Sequence, residues 1–123
     1  MTFGAATPIF RIFDEAKARE FYIDFLGFTI DFEHRFEPGM PLYMGLSLGA
    51  CKLHLSEHHG DATPGSAARI PCDDVEAYQK LLLAKQYKYA RPGFQDQDWG
   101  TRDMTIGDGF GNRLIFFQPL PPP

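Results

Sequence analysis

The spacing of apolar positions changes period along this chain, and each change marks an element. From Thr7 to Phe13, TPIFRIF is rich in β-formers and predicts a strand. Asp14 stands where a helix N-cap belongs. Phe21, Tyr22, Phe25 and Leu26 then recur at helical spacing, and Gly27 supplies the residue that stops the helix. In FTIDFEHRF the period falls to two. Phe28, Ile30 and Phe32 alternate with polar neighbours, which predicts a strand buried on one face. EPGMP predicts a turn, LYMGLSL a third strand, Gly49-Ala50 a tight turn and CKLHLSE a fourth strand. The first half is thus β-α-β-β-β.

His58 to Ser66, HHGDATPGS, has loop chemistry and predicts a linker. The pattern then repeats. AARIPC predicts a strand whose Pro71 marks an end or an edge. Asp73 opens DDVEAYQKLLLAK, with Val75, Tyr78 and Leu82 on one helical face and Asp73 and Glu76 spaced as a capping box. YKYARPG, GTRDMTIG and RLIFFQP predict three strands, the last two joined by the DGFGN turn. Asp14 corresponds to Asp73, and the Gly49 turn to the Gly109–Gly111 turn, an offset of about 60 residues. Two copies of a period this long predict a duplicated single domain of class α+β. Its first module spans about residues 6–57, its linker 58–66 and its second module about 67–118. PLPPP at the end cannot join a helix or a central strand and predicts an extended tail over 119–123.

Composition narrows the function classes. The 123 residues carry a formal net charge of −4, which argues against unspecific binding to nucleic acid or to anionic membranes. The opening MTFGAATPIF has neither a basic flank nor a long apolar run, so no signal peptide and no membrane span is expected there. Two cysteines, Cys51 and Cys72, form no C-x-x-C pair, and the expectation is reduced thiols in the cytoplasm.

LHLSEHHGD, Leu53 to Asp61, is the stretch richest in chemistry, because His54, Glu57 and His58 spell H-x-x-E-H. A metalloprotease site of that order needs a helix, where positions i and i+4 share a face. Here Leu53 and Leu55 alternate with His54 and Ser56, which is strand periodicity, and Gly60 and Thr63-Pro64-Gly65 close the segment. His58 and His59 are expected in a loop. Glu57 and Asp61 are expected either solvated or bonded to backbone. His54 lies on the sheet face opposite the leucines. It is either a hydrogen-bonded structural histidine or a pocket residue.

Four stretches carry a family resemblance. FYIDFLGF in the first helix and the closing DGFGNRLIFF resemble the vicinal oxygen chelate superfamily, which includes glyoxalase I, extradiol dioxygenases and the fosfomycin- and bleomycin-resistance proteins. DWGTRDMTI, with its Trp99-Gly100-Thr101-Arg102, looks most like the bleomycin-resistance branch, as does TPIFRIFDEAKAREFY. The similarity covers about residues 6–118. It implies two βαβββ modules whose mixed sheets form a ligand-binding cavity. Enzymes of the superfamily place metal ligands on the first and last strands of each module. The resemblance puts those positions at Thr7 and His54, and at Ser66 (or Ala67) and Ile115. Only His54 among them binds a divalent metal well, so no metal and no cofactor is expected.

The resemblance therefore implies an antibiotic-sequestering protein that binds a planar, cationic, bleomycin-like glycopeptide without modifying it. It also implies a homodimer, with exchange of the N-terminal strand. Binding is favoured over catalysis, and no catalytic residue is assigned. The ligand-binding candidates are Trp99 as a stacking ring, Phe32 and Phe36 on one face of the second strand, and His54 in the pocket. Asp98 and Glu37 (with Asp96) are the acids that would meet a cation, and Arg102 would orient the loop or touch the ligand. Trp99 packing on its own hairpin, and Phe32 and Phe36 in an ordinary core, are the bland alternatives. A metal-dependent enzyme of the same fold, or a module binding another planar molecule, are the competing functions.

Overall fold

The computed structural model describes residues 1–122. The chain divides into two compact units, Met1–Pro64 and Gly65–Pro123, each with a four-stranded mixed sheet and one helical segment. This is the α+β arrangement of two βαβββ modules.

In the first unit the strands are β1 (Ile9–Arg11), β2 (Thr29–His34), β3 (Tyr43–Leu48) and β4 (Cys51–Ser56), in sheet order β1-β4-β3-β2. β1 runs parallel to β4, and the other pairs are antiparallel. The helix α1 (Glu15–Arg19) starts at Asp14, whose side chain accepts the Lys17 N–H at 2.9 Å. It widens into a π-helical segment over Glu20–Phe25, where Leu26 N–H reaches the Phe21 carbonyl five residues back. Ala18, Phe21, Tyr22, Phe25 and Leu26 are all buried. They cover the sheet face built from Phe10, Met44, Leu46, Leu53 and Leu55. Gly27 then takes φ +94°, the left-handed conformation that ends a helix without Cβ strain.

Two details of this unit depart from the sequence reading. The strand Thr29–His34 is not buried on one face, for every residue in it is exposed and only Phe28, just before it, is in the core. β2 is an edge strand, and it carries a bulge at Asp31. Ile30 pairs with Leu46, but Phe32 pairs with Gly45, so the alternation slips by one and Phe32 turns to the face away from the helix. Phe36 does not share the strand with Phe32. β2 ends at His34, and Phe36 lies in the following loop, 82% exposed with its ring edge-on to His34.

The second unit contains β5 (Ala67–Pro71), α2 (Val75–Ala84), β6 (Phe94–Asp96), β7 (Thr101–Gly107) and β8 (Arg113–Pro119), in sheet order β5-β8-β7-β6. α2 lays Val75 and Leu82 on a core of Ile70, Met104, Ile106, Leu114 and Phe116, and Tyr78 meets the Phe116 ring edge-on at 5.0 Å. Its cap is Asp74, not Asp73. Asp74 accepts from Ala77 N–H at 2.9 Å, which excludes the Asp73–Glu76 box. The Val75 N–H is taken instead by the Gln118 side chain at 2.6 Å. YKYARPG forms no strand. Residues 87–93 are turn and coil, and the edge strand is Phe94–Asp96, three residues inside the polar stretch. Among the described residues no helix is long and apolar enough to cross a membrane.

Candidate functional site

In the first unit the chemistry gathers on the sheet face away from α1. The β3–β4 register sets Gly45 beside His54 and Tyr43 beside Ser56, and β1 sets Ile9 against His54. The bulge brings Phe32 to the same face. A Cβ on Gly45 would overlap the Phe32 ring, with Cδ1 at 2.7 Å and Cζ at 2.8 Å, so the ring lies directly over the glycine. Phe32 and Tyr43 are nearly parallel, 14° between planes with centroids 6.3 Å apart, and His54 stands edge-on to both at 5.2 and 5.3 Å. Phe32 is 44% exposed, more than a core ring would be, while Tyr43 and His54 are half-buried.

Tyr43 Oη and His54 Nδ1 are 2.7 Å apart. Burial, and then the Asp61 charge, push the Tyr43 hydroxyl above its ordinary range, so it stays protonated. The hydrogen bond holds the imidazole ring against the phenol. His54 is thus both hydrogen-bonded and part of an aromatic surface. Tyr43, Gly45 and Ile9 escaped sequence reasoning because their places depend on strand register.

Glu57, Ser56 and Asp61 of LHLSEHHGD hold the chain locally. The Glu57 carboxylate accepts the Leu42 N–H at 3.0 Å, and Asp61 accepts the Ser56 hydroxyl at 2.6 Å. Ser56 Oγ in turn accepts the His58 N–H at 3.0 Å. Arg35 pairs with Glu15 and Arg19 with Glu33, which ties the end of β2 to the helix. Glu37 is exposed in the 35–41 turn, where its carbonyl accepts the Met40 N–H.

In the second unit Trp99 sits in the turn between β6 and β7, 68% exposed, with Asp98 exposed beside it. Arg102 points to the α2 side of its strand. It lies over the Phe94 ring, donates to Asp96 from Nε at 2.7 Å and Nη2 at 3.2 Å, and approaches Glu76 of α2. That hydrogen bond, with the Arg102 charge, lowers the Asp96 carboxyl. The face away from α2 is built on Arg69, Asp103, Ile115 and Phe117. Asp103 is only 7% exposed. Arg69 donates to it from Nη1 at 3.0 Å and Nη2 at 3.4 Å, and Thr101 Oγ1 donates at 2.7 Å.

Burial by itself would raise the Asp103 carboxyl. The hydrogen bonds from Arg69 and Thr101, with the Arg69 charge, outweigh it and hold the group below its ordinary range. A carboxyl depressed on folding adds stability that is complete above its unfolded pKa of about 3.9 and is lost as pH falls through the folded value. The stability gap between wild type and Asp103→Asn is therefore expected to narrow below about pH 4 in urea titrations. A gap that stays constant down to the acid limit would show that the pairing adds nothing on folding.

The metal positions can now be tested in each unit. His54 registers with Ile9, not Thr7, which precedes the strand, and its Nδ1 is engaged by Tyr43. Ile115 registers with Arg69, not with Ser66 or Ala67. Within its own sheet each pair occupies the equivalent place: Ile9–His54 offers one imidazole and a hydrocarbon, and Arg69–Ile115 a guanidinium and a hydrocarbon. A divalent ion does not fit either donor set. Among the described residues no three His, Cys, Asp or Glu side chains group so as to hold a metal ion.

Comparison with known proteins agrees with this architecture. A bleomycin-binding protein solved with bleomycin is 26% identical, with a TM-score of 0.68 over 94% of this chain and 98% of the other. A bleomycin resistance determinant encoded on transposon Tn5 is 24% identical, with a TM-score of 0.73 over 95% and 98%. A glyoxalase/bleomycin resistance protein/dioxygenase superfamily member from Sphaerobacter thermophilus is 18% identical, with a TM-score of 0.67 over 94% and 97%. No curated protein matches the sequence. The family model described as glyoxalase superfamily protein matches residues 1–120. With that match over nearly its whole length, and with two βαβββ modules in its fold, the chain belongs to the glyoxalase, or vicinal oxygen chelate, superfamily.

Proposed function

We propose that the protein binds and sequesters a bleomycin-like glycopeptide, flat at one end and cationic, without altering it. The observation that carries the reading is the half-exposed Phe32–Tyr43–His54 surface, three rings gathered on one face of the first sheet. Flat heteroaromatic rings stack on such surfaces for about 0.5–1.5 kcal/mol beyond simple burial. The likeness to a bleomycin-binding protein solved with its ligand supports the same reading. Trp99 is a second stacking ring in this proposal. Glu37 and Phe36, exposed in the first unit, and Asp98, exposed beside Trp99 in the second, are the further residues assigned to ligand contact, the two acids for its cationic tail.

The protein acts as a homodimer in the cytoplasm. Residues 1–7 form no strand, and Met1 and Phe3 are exposed, Phe3 by 89%. A short apolar arm of this kind suits pairing with a second copy. Cys51 and Cys72 are free thiols, which suits a reducing compartment.

Calorimetric titration with bleomycin, metal-free and copper-loaded, tests the proposal directly. Tight binding at one ligand per chain is expected, and no heat at two temperatures would reject the antibiotic. Trp99→Ala is expected to weaken binding at least about tenfold, near 1.4 kcal/mol, while the dimer persists in sedimentation. Unchanged affinity would remove the stacking role of Trp99.

A further inference from the structure

We infer that the face of the second sheet turned away from α2 carries its own subsite for a small, flat, carboxylate-bearing molecule, anchored on Arg69. The inference goes beyond the glycopeptide reading and does not depend on it.

A guanidinium has five N–H donors arranged as two forks. Arg69 directs its end fork, Nη1 and Nη2, at the Asp103 carboxylate. No other bond to its side chain is made among the described residues, so the side fork of Nε–H and the second Nη2–H stays available. The Arg69 side chain is 42% exposed, and its guanidinium lies over the Phe117 ring at 4.2 Å. Asp103 is itself fixed, buried and held by Thr101. The side fork is therefore presented in one orientation, from a side chain whose rotamers are already restricted. Two parallel N–H donors match the two oxygens of a carboxylate.

Arg102 shows the contrast. Its Nε and Nη2 already engage Asp96, so the equivalent fork there is closed.

The charge on this face agrees in sign. Arg69 and Arg113 face the same side as Asp103, a surplus of one positive charge in a chain whose net charge is −4. Ile115 and Phe117 supply half-buried apolar surface beside the fork. A cation with a free fork, bordered by an aromatic ring and an aliphatic side chain, suits a carboxylate attached to a flat apolar body better than a free inorganic anion.

The test uses the full chain labelled with 15N and follows the arginine Nε–Hε resonances, with benzoate as the probe. Arg69 is identified by the signal missing from Arg69→Lys. A saturable shift of that signal with benzoate is expected, with little response to benzyl alcohol, which keeps the ring and lacks the charge. Arg69→Lys keeps the charge and loses the fork. Followed through backbone amides of β5 and β8, it is expected to bind benzoate about fivefold or more weakly. Phe117→Leu leaves the fork in place and is expected to weaken benzoate more than acetate, so the outcome does not rest on one variant folding. No saturable Arg69 shift in wild type, or an equal shift with benzyl alcohol, would overturn the inference. Calorimetry with bleomycin reads the glycopeptide proposal separately, so failure of one leaves the other standing.

Discussion

Replacing Phe10 with alanine is expected to destabilise the first unit by about 3–5 kcal/mol, a large share of the roughly 5–15 kcal/mol that holds a domain of this size together. Phe10 is 1% exposed and lies at the centre of β1, a strand of only three residues. Its place opposite Leu55 joins β1 to the sheet core beneath Phe21 and Tyr22. With so few ladder bonds, the buried ring is the main attachment of the strand. Urea unfolding followed by far-ultraviolet circular dichroism is the suitable measurement, because the sole tryptophan, Trp99, lies in the other unit. A loss below about 1 kcal/mol would mean that β1 is held by something other than this side chain.

Gly45→Val is expected to have the largest effect on binding. Gly45 has no positive φ, so valine suits the strand backbone, and its β-branch favours a strand. The cost falls on Phe32, whose ring occupies the place of the new Cβ. Since that ring is half exposed, it can swing away, and stability should change by about 1 kcal/mol or less. What is lost is the flat surface shared with Tyr43 and His54. Truncation of a central aromatic anchor commonly costs 2 kcal/mol or more, so bleomycin affinity should fall about thirtyfold. Calorimetry gives the affinity, and ring-proton shifts of Phe32 and Tyr43 report the displacement. Unchanged affinity with a displaced ring would remove Phe32 from the site.

The α+β class and the repeated βαβββ order were legible in the sequence because both rest on local signals. Asp14 caps α1 and Gly27 ends it, and Met104 and Ile106 alternate on β7 toward the core, all at the positions their spacing predicts. Position 74 was misjudged by one residue because two consecutive aspartates offer the same capping chemistry, and backbone geometry chose between them. β6 was misplaced because three residues are too few to show a period.

The candidate sites divide along the same line. By itself the sequence determined that His54 turns away from the leucines of β4 and that Trp99 stands in a polar turn. Each is a matter of local alternation or motif. Only the tertiary structure decided that Phe32 crosses to the face of His54, because a one-residue bulge at Asp31 leaves no mark on composition yet reverses every later side chain. It alone joined Tyr43 to His54 and Arg69 to Asp103, since those contacts follow from register between strands, which no local periodicity specifies.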